Sequence, residues 1–443
     1  MDALSMAPSQ WHAHEMIFGY GAAAIGGCFL TALPNWTGTK GARVGYIAGV
    51  FALWLMGRIA LWPLGMVPPM TAMAVDLLFI PVLAWKILSQ LLKRPKPQNM
   101  VLLSMLVALW VSNLLMHLEW TGLTDDTARQ GMLGGLMTLV GLIGVLGGRV
   151  TPAFTRSAMK RVEVPEADWP RTPNAVNKAA IVTALALPWM AMSGSDPVLA
   201  GVTLIAGSVQ LARLSGWRSL WTAGQPILWS LHLSMAFLAI GLILWGLTGI
   251  GVGQELAAIH VLGIGCVGGM TLAVMSRAAQ GHTGRALIAP APMAWAYGVM
   301  ACAALIRWVG QSALLAVYDF TPMMSGGLWV AAMVLFLIAI YPMVIAPPPR
   351  RWQIALRSSL RRPRWSFSQG RFPQVEWWRK AHQWSSVPDR LGRLAGHRQG
   401  WPRQTVPRCL VVCSRCGLRR CCAPERGRCW KCRRQLKSQR FVR

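Results

Sequence analysis

Six histidines fall within the first 349 residues of this 443-residue chain: His12, His14, His117, His232, His260 and His282. Imidazole nitrogen binds copper, iron and zinc alike. The run Trp11-His12-Ala13-His14-Glu15-Met16 puts two imidazoles, a carboxylate and a thioether into six positions. Met16 falls one helical turn after His12, and Met116 stands beside His117. A thioether favours Cu(I) or an axial position on haem. Glu15, next to His14, is suited to hold a ligating imidazole in orientation from behind. The residues that could ligate are His12, His14, His117 and His260, with Met16 and Met116 beside them and His232 set apart by its burial. A single interfacial histidine is more often amphipathic filler, whereas several on facing helices can share a ligand. Arg58 and Asp76 are expected to form a structural ion pair across the second and third spans. There is no nucleotide loop, catalytic triad or paired-carboxylate site to suggest hydrolysis.

These residues must be positioned by membrane helices. Hydrophobic residues make up 54% of the chain and charged residues 13%, too little charge to cover a water-soluble surface of this size. The apolar residues come in blocks of roughly 18–24, the length of a bilayer-spanning helix. Their continuous Leu/Ala/Val/Met runs lack the alternation of a barrel strand. The expected fold is all-α, a polytopic bundle of about eleven spans. They lie at about 12–33, 43–63, 67–90, 98–119, 130–148, 177–193, 196–213, 225–247, 254–277, 290–309 and 325–347. Pro197 reads as a break in the seventh, and Pro188, Pro226 and Pro342 as interruptions elsewhere. Cys28, Cys266 and Cys302 sit singly in apolar blocks and read as small packing residues.

Basic residues mark alternate loops: Lys40 and Arg43; Lys93, Arg94 and Lys96; Arg156, Lys160, Arg161 and Arg171; Arg213 and Arg218; Arg277 and Arg285. This pattern places those loops and the C-terminus in the cytoplasm. Arg129 is the exception, with Asp125 and Asp126 before it. His12, His14, His117 and His260 then share the outer leaflet, His260 roughly 9 Å deep. His232 lies at the inner side, either a ligand or a helix-to-helix hydrogen bond. His282 lies in an inner loop between glycines. Since Met1 falls outside by this count, one more N-terminal helix is expected to precede the first span.

The segments Trp11-His12-Ala13-His14-Glu15-Met16-Ile17-Phe18-Gly19 and Leu33-Pro34-Asn35-Trp36-Thr37-Gly38 resemble the opening signature of the NnrS family. The run from His260 to Gly265, Gly268 to Arg277 and Gly281-His282-Thr283-Gly284-Arg285 resembles its later signature, and Phe154-Thr155-Arg156 also fits. The resemblance covers roughly residues 9 to 349. It implies a bacterial inner-membrane protein of about twelve spans that carries haem and copper and acts in nitric oxide metabolism or nitrosative-stress resistance, with an electron donor still to be named. His12, His14, His260 and His282 are the histidines that carry over. Two other readings stand beside it: a multi-pass transporter, and a sensor or assembly factor without turnover.

Residues 350–443 are different material, with 25 Lys and Arg against 3 acidic residues and seven of the ten cysteines. Cys413, Cys416, Cys429 and Cys432 have zinc-ribbon spacing, and a basic zinc module would meet anionic lipid or, less readily, nucleic acid. The other reading is an out-of-frame translation with no fold, which accounts for the irregular Arg, Pro, Trp and Cys content and the additional Cys409, Cys421 and Cys422.

Overall fold

A computed structural model describes residues 6–62, 67–92, 97–312 and 320–347. All lie in the first of two compact units, residues 1–386. The sequence expectations for the basic tail, its four zinc-spaced cysteines included, fall outside the described residues.

The described chain is helical throughout its ordered elements. In order these are α1 (Pro8–His14), a π-helical segment Glu15–Gly21, α2 (Ala22–Thr37), α3 (Val44–Ala60), α4 (Pro69–Leu91), α5 (Pro97–Trp120), α6 (Ala128–Arg161), α7 (Asn174–Met192), α8 (Asp196–Ser215), α9 (Pro226–Thr248), α10 (Glu255–His260), a second π-helical segment Val261–Gly268, α11 (Gly269–His282), α12 (Ala291–Gln311) and α13 (Thr321–Ile345). Lipid leaves no other partner for backbone N–H and C=O groups than the helix itself. Among the described residues, ten helices are long and apolar enough to cross a membrane. An eleventh, α3, is apolar but only 17 residues long.

Short connections make consecutive helices run in opposite directions. The starts of α1, α4, α6, α8 and α10 therefore gather at one end of the bundle, called here the histidine end. The starts of α3, α5, α7, α9 and α12 gather at the other, the arginine end.

Several boundaries depart from the sequence reading. The fifth span was expected to close near residue 148, where hydropathy falls. Instead α6 continues to Arg161, 34 residues in all. At 1.5 Å per residue that is roughly 51 Å, longer than a bilayer core of about 30 Å. Arg156, Lys160 and Arg161 are thus helical rather than loop residues. Arg213 and Arg277 are not loop residues either; they are 3% and 7% exposed within α8 and α11. Pro197 and Pro226 sit in the first turns of α8 and α9, where a missing N–H costs nothing, so they open helices rather than break them.

The centre of the bundle is α6. Its inward glycines let neighbours approach to backbone contact: a Cβ on Gly131 would lie 2.4 Å from the Ser112 carbonyl oxygen, and one on Gly141 would lie 2.7 Å from that of Ala184. Glu119 at the end of α5 accepts the Ala128 N–H at 2.6 Å and closes the start of α6. Arg129, the apparent exception to the charge pattern, pairs with Asp196 and Glu255 at 3.1 and 3.0 Å.

The two ends treat buried arginine differently. At the histidine end, Arg58 lies between Asp76 and Glu15. At the arginine end, Arg213 donates to the Gly144 carbonyl and Gln210 and lies over Trp217, while Arg277 lies 3.7 Å from the centre of the Phe154 ring. Neither has a carboxylate partner among the described residues.

Candidate metal centre

His14, Asp76 and His117 come from α1, α4 and α5 and converge where all three side chains are buried. One ligand atom from each lies within 4.8 Å of the others. His14 Nε2 is 3.3 Å and His117 Nε2 3.1 Å from Asp76 Oδ2. A tetrahedral ion with bonds of about 2.0–2.1 Å separates its ligand atoms by roughly 3.3 Å, so the spacing suits a first-row cation.

Around this triad every neighbour has a role. Asn113 Nδ2 donates to Asp76 Oδ2 at 2.8 Å, and Asn113 Oδ1 lies 2.8 Å from His14 Nε2. Glu15 Oε1 lies 3.4 Å from His14 Nδ1, the back-side carboxylate expected from the sequence. Arg58 donates to Glu15 Oε1 at 2.7 Å and bonds Asp76 Oδ1, so the expected Arg58–Asp76 pair is present. His117 Nδ1 is buried with no hydrogen-bond partner. The rings of Trp120 and Phe18 close the site, 5.2 and 5.1 Å from the His14 ring.

Small residues make this convergence possible. A Cβ on Gly57 of α3 would lie 2.8 Å from Asp76 Oδ1, and one on Gly19 would lie 3.0 Å from Arg58 Nη1 and from Glu15. Gly19 belongs to the π-helical segment that starts directly after His14, and its carbonyl accepts Trp54 Nε1–H at 2.9 Å. π-helical turns gather at functional sites.

His12 and His260 form a separate group. His260 Nδ1–H donates to the Leu256 carbonyl at 2.7 Å, which leaves Nε2 with its lone pair outward. The ring lies within electrostatic reach of His12 and Arg307. Gln311, 7% exposed, lies beside His260 with both amide atoms buried. The second π-helical segment begins directly after His260, as the first does after His14. Met16 lies in the first π segment, and its sulfur makes no hydrogen bond among the described residues.

The two remaining candidates are elsewhere. His232 has both ring nitrogens occupied, Nε2 by Thr155 at 2.8 Å and Nδ1 by Ser219 at 2.9 Å, so it ties α9 to α6 and to the connection that precedes α9. Of the two alternatives for His232, the helix-to-helix bond is the one observed. His282 is 22 residues beyond His260 along one continuous helical run, roughly 33 Å away, and shares no ligand with it.

The sequence groups His14 and His117 with His12 and His260 at the outer leaflet and assigns Asp76 only to Arg58, whereas the structure joins only the first two histidines, with Asp76. Asn113 was missed. The available signal was its place one turn before His117 on an otherwise apolar helix, since polar side chains in lipid require partners.

No curated protein matches the chain. The family described as NnrS protein matches residues 1–347, which takes in every described residue. The match covers most of the sequence, including both π-helical segments and the His14–Asp76–His117 convergence, and the chain therefore belongs to the NnrS family.

Proposed function

We propose that this protein binds copper at His14, Asp76 and His117 and haem through His12 and His260, and that the pair serves nitric oxide metabolism or resistance to nitrosative stress. The observation that carries the reading is the convergence of two imidazoles and a carboxylate from three helices in a buried site. With neutral imidazoles, Asp76, Glu15 and Arg58 leave that site at net −1, so a monovalent cation brings it to neutrality. Buried net charge is costly, which favours such an ion. Imidazole ligands favour copper over magnesium or calcium.

A porphyrin does not fit at His14 or His117, whose rings are enclosed by Phe18 and Trp120. His12 is exposed and His260 half-buried, so haem, if held by these histidines, belongs there. Haem iron and copper would supply one-electron chemistry and coordinate nitric oxide. The chain's own residues orient the ligands: Glu15 holds His14 from behind, and the Leu256 carbonyl fixes the His260 tautomer.

A second reading is favoured by the completeness of the polar network. Arg58, Asn113 and the two imidazoles satisfy Asp76 without any ion, so the group could act only as a helix clamp, with a proton in place of the cation. Elemental analysis and visible spectra of the full-length protein decide between them. Copper present in the wild type and lost in His14→Ala and His117→Ala, with haem lost in His260→Ala, supports the proposal. Metal-free, colourless wild-type protein refutes it.

A further inference from the structure

A cavity of about 640 Å³ opens at the arginine end, between the α2–α3 connection and the last turns of α4. Its lining includes Lys40, Arg43, Lys86, Thr39, Ser89 and Gln90, and no carboxylate among the described residues. We propose that this cavity binds the phosphate group of an anionic phospholipid. The inference is independent of the metal reading.

Three cations reach the cavity from different places: Lys40 from the connecting turn, Arg43 from the N-cap position of α3, and Lys86 from within α4. Basic residues at a cytoplasmic surface are ordinary. Their convergence on one concave space, without an acid among them, is what topology alone does not require. No side chain caps the start of α3, so its first N–H groups and positive dipole end add to the field.

The walls are fixed before any ligand arrives. Lys86 Nζ lies 5.7 Å over the Tyr46 ring, and Tyr46 donates its hydroxyl to the Val82 carbonyl at 2.7 Å. Gln90, 5% exposed, donates to the Lys40 carbonyl at 3.1 Å and ties the turn to α4. Gly38 turns the chain with φ of +68°, a conformation that a side chain disfavours. This accounts for the Thr37-Gly38 part of the sequence signature, which the histidine sites leave unused. Hydroxyls of Thr39 and Ser89 supply neutral donors beside the cations. A basic pocket between spanning helices at this level is the arrangement that takes lipid headgroups.

Native mass spectrometry of the full chain tests this, with phosphatidylglycerol or phosphatidylcholine offered in detergent. Preferential retention of phosphatidylglycerol is expected, reduced about five-fold for each cation removed in Lys40→Ala and Lys86→Ala. Lys40→Arg and Lys86→Arg should retain it, which separates lost charge from lost fold. Lys160→Ala with Lys178→Ala removes equal charge from the same end but outside the cavity. Equal losses in that control, or equal retention of the two lipids, would overturn the proposal. A competition arm with millimolar inorganic phosphate distinguishes the source: lipid displaced by phosphate shows the site takes the phosphate group itself, and undisplaced lipid shows that the diester is required. Either result, with the selective loss in the cavity variants, supports the site.

Discussion

Asp76 is the residue on which the histidine end turns, because it faces two imidazoles, an amide and a guanidinium at once. Asp76→Asn keeps the shape but leaves Arg58 with Glu15 alone. Breaking a buried pair this way costs about 3–5 kcal/mol, so the detergent-solubilised variant is expected to melt at clearly lower temperature and, on the proposed copper reading, to lose the metal. His232 makes the useful contrast. His232→Ala strands Thr155 and Ser219, at about 1–3 kcal/mol, yet should keep its full metal content. Metal analysis and thermal melts on the two variants together separate ligand from scaffold. The difference between His117 and His232 was only partly legible in the sequence. Both are single imidazoles in apolar helices, and only the third dimension shows that one faces Asp76 and the other two hydroxyls. The Arg58–Asp76 pair was legible because two opposite charges in adjacent spans have few other ways to be neutralised.

Among the elements, α6 carries the packing. Gly131→Val should prevent accumulation of folded protein, since its Cβ meets the Ser112 backbone of α5. Gly27→Ala should be neutral to within about 0.5 kcal/mol, since nothing lies within 4 Å of the added carbon. Yield of monodisperse protein on size exclusion checks both. Hydropathy placed the helices well but ended α6 too early. The last turns of a long helix leave the hydrocarbon, and hydropathy reports the solvent rather than the hydrogen bonding. The π-helical segments after His14 and His260 were not legible at all. A widened turn is set by what presses on it, such as Trp54 on the Gly19 carbonyl, and not by composition. Proline was misread in a regular way: Pro197 and Pro226 look like breaks in a linear scan and are helix starts in space.

For the whole molecule, the charge pattern predicts which end faces the cytoplasm. Leu123, 57% exposed between α5 and α6, and Leu220, 92% exposed between α8 and α9, stand at opposite ends. A cysteine at Leu123 should react with membrane-impermeant maleimide applied to intact cells, whereas one at Leu220 should react only after permeabilisation. The reverse result would invert the topology. Helix number and order were legible because lipid imposes span length, while the sharing of one site by α1, α4 and α5 depends on lateral packing that no linear pattern encodes.

The unequal treatment of buried arginine gives the molecule a polarity of access. At the arginine end Arg213 and Arg277 hold positive charge that no described carboxylate cancels, and in a medium that screens poorly they raise the potential that a cation meets there. At the histidine end the carboxylates of Glu15 and Asp76 outnumber Arg58 by one charge, with Arg307 nearer to His12 and His260. On the proposed copper reading, copper supplied to sealed proteoliposomes should load faster into protein that presents the histidine end to the added metal, and the bilayer would see a binding site with one preferred door.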